Sequence, residues 1–462
     1  MRNGAPRAKA LQDQNARNED CLQDQNCARR GDGTQDKKAA ARLARYQKIL
    51  CPDFPPFLKK YLDLKILERL KGIDLLCGTD WTPLFHNRFY YSRYDHSLNC
   101  ALIVWNWTRD KKLALAALLH DVSTPAFSHV IDFKNGDALT QESTEDKNAA
   151  MIRADAQLAA ALAQDGLAAS DVDDYHKYSI CDNEVPQLSA DRLEYMFPSG
   201  AALEGWFSLR AIKRFYGDLV LAKDERGNLE FAFKTKKIAR AYFKRILKIG
   251  YFLQRNKDKI AMELMARVVD AAIKCGALAE EELWQLSERQ IIGRWDGMLE
   301  AVDGPQVDAR LRANEARDFF ASGQSLAMPK TNVQLKSVEA ARLDFLRLYK
   351  TYRMMKKVRG AASPLPGHFC VKLAVKRRWI NPLVAAGSLG LANNSDASQQ
   401  SVEAAASLAC EQLSDKPQTI EKMQSVEAAR RICDISVRAK KAAQKFLAYN
   451  DTPYACVRLA GL

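Results

Sequence analysis

ALLHDVSTPAFSHVID, residues 117–132, places His120, Asp121, His129 and Asp132 around a proline-containing break at the end of an apolar run. The run, KKLALAALL, has its apolar residues at three- and four-residue spacing, which predicts a helix. His120 and Asp121 are consecutive, and neighbours on a continuing helix diverge by about 100°. Both side chains can face one ion only where the helix stops. Val122 to Pro125 predict that stop, because proline cannot carry the hydrogen-bond ladder onward.

Two further blocks bear on the first. SRYDHSLN (92–99) carries His96 at the start of another apolar helical pattern, and LSADRLEYMF (188–197) sets Asp191 near a helix start. A divalent ion that serves hydrolysis takes imidazole and carboxylate ligands and keeps positions open for water and substrate. His96, His120, Asp121 and Asp191 supply four such ligands, a set that suits one Mn, Fe, Zn or Ni ion. The chain has only six histidines. His86, His176 and His368 are read as ordinary core or surface residues.

The order His96, then His120-Asp121, then Asp191 resembles the signature of the HD superfamily of phosphohydrolases. SRYDHSLN is similar to the SRFEHSLG segment of the deoxynucleoside triphosphate triphosphohydrolases (dNTPases), the group that includes the vertebrate SAM-and-HD-domain enzyme. HDVSTPAFSHVID resembles that group's HDxGHxPFSHxFD, and ADRLEY resembles the segment with its last metal ligand. The likeness spans residues 50–200 closely and the helical region to 384 loosely. It implies that Arg93 contacts substrate phosphate, for which a guanidinium is suited by bidentate bonding. It also implies that Tyr195, four residues after Asp191 and on the same helical face, packs near a sugar. Two positions depart from the family. Thr124 stands where a histidine is common, and Gln141-Glu142 stands where the family has His-Glu. Glutamine cannot transfer a proton, so that role is lost or has moved to His129, Asp132 or Glu142.

The rest of the chain predicts an all-α protein, the HD-domain helical fold, with a minor β-hairpin and strand component. Residues 1–36 are polar, contain LQDQN twice, and cannot bury enough apolar surface to offset their ordering entropy. They are expected to form a disordered tail. A catalytic helical core then covers 37–215 and a helical subdomain 216–384. In that subdomain DLVLAKDERGNLEFAF predicts a hairpin with Gly227-Asn228 at its tip, and FCVKLAVKRRWINPLV reads as strand-like. Residues 385–428, rich in Ala, Ser, Gln and Asn, predict a loosely ordered insertion, and 429–462 a closing helical segment.

No run approaches the roughly 18 apolar residues of a membrane span, and no apolar stretch follows the basic start. The expectation is a cytoplasmic protein with no membrane contact. Eleven cysteines without a CxxC pair read as reduced thiols rather than a disulfide frame. The formal charge of +14 points to a polyanionic partner. Lys236, Lys237, Arg240, Lys244 and Lys248 line a helix whose other face is apolar, and Lys376-Arg377-Arg378 forms another cluster. The resemblance implies that basic residues in this half serve phosphate or allosteric nucleotide sites, with nucleic acid as another ligand, and that the chain forms a homo-oligomer. Three functions follow: a nucleotide phosphohydrolase of dNTPase type, a monoesterase or cyclic-dinucleotide phosphodiesterase on the same scaffold, or a binding regulator that kept the metal and lost turnover.

Overall fold

The computed structural model describes residues 33–303, 330–385 and 429–462. The expected insertion, apart from Ala385, and most of the expected tail lie outside these residues. The described part is mostly helical. Its principal helices are α1 (Gly33–Leu50), α2 (Arg93–Thr108), α3 (Lys111–Leu119), α4 (Ala190–Leu203), α5 (Lys236–Leu253), α6 (Asn256–Lys274), α7 (Glu288–Asp303), α8 (Lys330–Met354) and α9 (Val437–Leu447).

Local chemistry sets the helix ends that matter. Ser92 caps α2 by accepting the Asp95 N–H at 3.1 Å, while the Asp95 carboxylate reaches back to Ser92, a reciprocal capping box. His96 therefore sits one turn inside a firmly started helix. Asp110 caps α3 through the Leu113 N–H, and Ser189 caps α4 through the Arg192 N–H. In α3 every residue from Ala114 to Leu119 is buried, and each fully buried leucine contributes roughly 1.5–3 kcal/mol. The helix ends at Leu119 with His120 as its C-cap, where the proline-containing break predicts it. Arg69 donates to the Val122 and Thr124 carbonyls and holds the chain in that turn.

The hairpin is present. β1 (Leu219–Lys223) pairs antiparallel with β2 (Leu229–Phe233), and Gly227 at the turn has φ +84°, a conformation open to glycine at little cost. The β content, however, exceeds the minor component expected. β2 also pairs in parallel with β5 (Leu383–Val384), which pairs with β6 (Arg430–Arg431), giving a four-stranded sheet. A second sheet has the order β3 (Arg359–Ala361), β7 (Tyr454–Arg458), β4 (His368–Val371). The closing segment thus contains two strands as well as helix. Strands of two to five residues are too short to show a period-2 pattern, and their partners are far away in sequence.

Two core clusters form. One gathers α1 to α5 and α9, around Leu118, Phe197, Phe207 and Tyr242. The other gathers α6, α7, α8 and the second sheet against Phe127 and Ile131. Helix α5 buries Ala239, Tyr242, Phe243 and Ile246 and exposes Lys237, Arg240, Lys244 and Lys248, the amphipathic division its pattern predicts. The principal cavity opens between the clusters. No helix among the described residues is long and apolar enough to cross a membrane.

Candidate metal centre

The end of α3, the first turns of α2 and the first turn of α4 converge on one point. His96 Nε2 lies 3.2 Å from His120 Nε2. Asp191 Oδ1 is 2.9 Å from His96 Nε2 and 3.5 Å from His120 Nε2. Asp121 Oδ2 is 3.7 and 3.6 Å from the same two atoms. With ligand bonds of about 2.0–2.2 Å, neighbouring donors around one ion stand roughly 2.9–3.5 Å apart, so the spacing of His96, His120 and Asp191 fits a shared ion and Asp121 stands just outside it. The ring orientations fit as well. His96 Nδ1 contacts Glu194 Oε2 at 2.6 Å and His120 Nδ1 contacts the Ala117 carbonyl at 2.7 Å. Both rings can then carry their proton on Nδ1 and offer Nε2 as ligand.

Glu194 is fully buried and also accepts from Tyr91 Oη at 2.6 Å and Tyr46 Oη at 3.0 Å. Burial lowers the basicity of the His96 imidazole, but Cys100 and Asp191 beside it outweigh burial and hold it well above its ordinary range. Burial would raise the Asp121 carboxyl, yet Arg93 and the two imidazoles hold it well below. Both imidazoles would have to give up any proton on Nε2 to hold a cation there. The sequence reading missed Cys100, one turn after His96, which with His96, His120 and Asp191 makes a group able to hold a metal. Its sulfur stands 3.7 and 3.9 Å from the two His96 ring nitrogens, so it lies beside the ring and not beyond Nε2. Burial pushes this thiol upward.

The other expected residues fall into three groups. Arg93 lines the cavity, with Nη1 on Asp121 Oδ2 at 2.8 Å and Nε on Ser128 Oγ at 3.2 Å. Tyr195 and His129 line it too, the latter pushed down to about 4 by burial and by Arg378. Asp132 is buried behind His129 and bonds His129 Nδ1 at 2.9 Å and Ser143 Oγ at 2.6 Å. Glu142 is outside the cavity lining, half exposed, with Lys376 Nζ at 3.1 Å. Thr124 donates to Asp121 Oδ1 at 2.9 Å, so it orients that carboxylate. His86 and His176 are exposed, and His368 is half-buried on β4.

The cavity, about 170 Å³, holds groups that periodicity did not point to. Glu145 lines it beside Tyr175, whose hydroxyl donates to Glu145 Oε2 at 3.1 Å. Burial raises the Glu145 carboxyl to about 7, and Asp258 on the far wall is raised to about 7 by burial as well. Arg378 enters from the C-terminal half, contacts His129 Nε2 at 3.2 Å, donates to Gln141, and stands 5.8 Å from the Tyr195 ring. The Lys376 N–H donates to the Ala138 carbonyl, and the Gln254 side-chain amide donates to the Lys376 carbonyl, which pins that segment. Arg377 turns the other way, onto the Phe446 and Tyr449 carbonyls.

Residues 93–172 match the HD domain family. The match includes Arg93, His96, His120 and Asp121, and Asp191 lies beyond it. The chain is 24% identical over 220 residues to the uncharacterized protein YdhJ of Bacillus subtilis, covering 47% of this chain and 64% of that relative. It thus spans less than two thirds of the curated relative's length. Among solved structures it is similar to a phosphohydrolase from Bacteroides thetaiotaomicron at 13% identity and TM-score 0.41, covering 88% of this chain and 97% of the other. A hypothetical protein from Aquifex aeolicus gives 13% identity and TM-score 0.43, with 88% and 93% covered. The HD match and the converging ligand atoms support a metal-dependent phosphohydrolase.

Proposed function

We propose that this chain hydrolyses a phosphoester or phosphoanhydride bond of a nucleotide, with His96, His120, Asp121 and Asp191 holding one divalent transition metal. The observation that carries the reading is the convergence of two Nε2 atoms and two carboxylates at the edge of a cavity that Arg93, Lys376 and Arg378 also line. When bound there, a divalent ion supplies a Lewis acid for phosphoryl oxygen and activates water for attack. Arg93 orients Asp121 and adds positive charge beside the reacting phosphate. Arg378 and Lys376 face it across the cavity and suit the phosphates of a chain. Leu76, Phe252, Met262 and Val375 give apolar surface for a base, with Tyr195 beside the sugar. Glu145, neutral below about pH 7, is placed to give a proton to the leaving oxygen. His129, kept neutral by burial and Arg378, is placed to accept one.

A second reading, a nucleotide-binding regulator, is favoured by one observation. Gln141, where the family has a proton-transferring histidine, is instead tied to Arg378. Metal-loaded protein incubated with dNTPs, NTPs, monophosphates and cyclic dinucleotides separates the two. Release of triphosphate or orthophosphate, lost in Asp121→Ala along with most of the metal, is the expected result. Tight nucleotide binding without any product supports the regulator, and full metal content in Asp121→Ala overturns the ligand assignment.

A further inference from the structure

β4 and β7 run antiparallel, with His368 opposite Arg458, Phe369 opposite Val457 and Cys370 opposite Cys456. The register extends to Gly367 and Leu459, where the Leu459 N–H donates to the Gly367 carbonyl at 3.1 Å. Hydrogen-bonded and non-hydrogen-bonded pairs alternate along such a ladder. Three residues on from Gly367, Cys370–Cys456 falls on a non-hydrogen-bonded pair. Pairs of this kind hold their Cα atoms about 4.5 Å apart, inside the roughly 4.4–6.8 Å that a disulfide spans. Both thiols are free, Cys456 buried and Cys370 half-buried.

The two faces of the sheet differ. Val371, Ala455 and Val457 pack into the second core cluster, so by alternation the cysteines look out from the opposite face. There the β3–β4 connection covers them, and the Leu365 N–H donates to Cys370 Sγ at 3.2 Å. Arg359 on β3 is opposite Cys456, and Arg458 lies two residues along β7, which adds positive charge around the pair.

We infer that Cys370 and Cys456 are a modification site, joined as a reversible cross-strand disulfide by a low-molecular-weight disulfide such as oxidised glutathione. Cys370 loses its proton and attacks one sulfur of the small disulfide. That S–S bond breaks, and one small thiolate leaves and takes up a proton. Cys456 then gives up its proton, attacks the Cys370 sulfur and expels the second small thiol. The two protein thiols lose two electrons, the small disulfide gains them, and no other reactant is required. Cys456 is buried and Cys370 half-buried, so a small disulfide reaches Cys370 first and Cys456 closes the bond. Oxidation leaves the apolar face untouched while tying β7 to the strand that leads into Lys376 and Arg378.

Native full-length protein equilibrated with graded ratios of oxidised to reduced glutathione, acid-quenched, alkylated and digested without reduction tests this. The expected product is a Cys370–Cys456 peptide pair, two hydrogens lighter than its parts, that appears over one two-electron transition. Cys370→Ser abolishes the pair, and Cys275→Ser, at a half-buried thiol elsewhere, leaves it intact. The inference fails if the pair stays reduced while Cys275 reacts, if Cys370 stops at the mixed disulfide, or if the link forms only in urea. Should Cys370→Ser not fold, the wild-type digest still decides, because it reads the joined peptide directly.

Discussion

The surroundings of Glu145 and His129 push the two groups in opposite directions. Burial lifts Glu145 to about 7, while burial and Arg378 press His129 to about 4. For stability the signs differ. Glu145 binds its proton more tightly in the folded state, so its contribution is complete below about 4.5 and is lost as pH rises through about 7. His129 is held neutral, so the unfolded chain binds its proton first, and its contribution is lost as pH falls from 6.5 through about 4. For turnover, a Glu145 that donates a proton makes kcat/KM fall above pH about 7. Glu145→Gln is then expected to lose about 10²–10⁴-fold and to abolish that alkaline limb, with metal content unchanged. A variant that keeps both the rate and the limb removes Glu145 from the chemistry. At this scale the ligand types were legible, because two histidine blocks and a later aspartate stand in a recognisable order. Glu145 was not, since a lone glutamate in a polar stretch carries no spacing that marks it. Nor was Glu194, whose role depends on burial beneath His96.

The stop of α3 was a legible helix end, and short strands were the illegible elements. The proline-containing break after Asp121 announces that stop, while the caps at Ser92, Asp110 and Ser189 emerge only with the structure. The hairpin was legible too, through its Gly-Asn tip. β5 and β6 are two residues each and exist through pairing, which no local pattern encodes. What fastens β6 is a side chain. Arg431 binds Glu230 bidentately at 2.6 and 2.8 Å, and Glu225 at 2.7 Å. Glu230 is buried and also accepts the Leu188 N–H at 2.9 Å, next to the cap of the helix that carries Asp191. Removing one partner of a buried pair strands the other charge and costs about 3–5 kcal/mol. Arg431→Met is therefore expected to lower stability by about that amount in urea denaturation. Adding Glu230→Gln, which keeps an acceptor for Leu188 without the charge, should recover most of the loss. A single variant that costs under about 1 kcal/mol would mean that the pair is effectively solvated and that β6 is held by other contacts.

The whole molecule matters to the site because the cavity lies between two core clusters, and its walls come from distant parts of the chain. Lys376-Arg377-Arg378 was visible in the sequence as a basic cluster, but not that its members alternate. Arg377 anchors to the end of α9, while Lys376 and Arg378 face the cavity. That division depends on an extended backbone pinned at Ala138 and Gln254, contacts made across more than a hundred residues. Arg378 reaches Gln141 and His129 but none of the four expected ligands, so Arg378→Ala should leave metal content unchanged. Hydrogen bonds to charged groups contribute about 1.5–3 kcal/mol, which corresponds to roughly a 10- to 150-fold weaker KM or Kd for a phosphorylated ligand. On the proposed reading Arg378 would hold phosphates beyond the reacting one, so the loss is expected to be larger for a triphosphate than for a monophosphate. A second readout does not depend on turnover. Without the guanidinium beside it, His129 should titrate at higher pH, an effect that ring-proton NMR resolves among only six histidines. If His129 moves but mono- and triphosphates lose affinity equally, Arg378 tunes the base without gripping the chain. If neither changes, the cationic wall contributes only to packing, and the phosphates must be held on the Arg93 side alone.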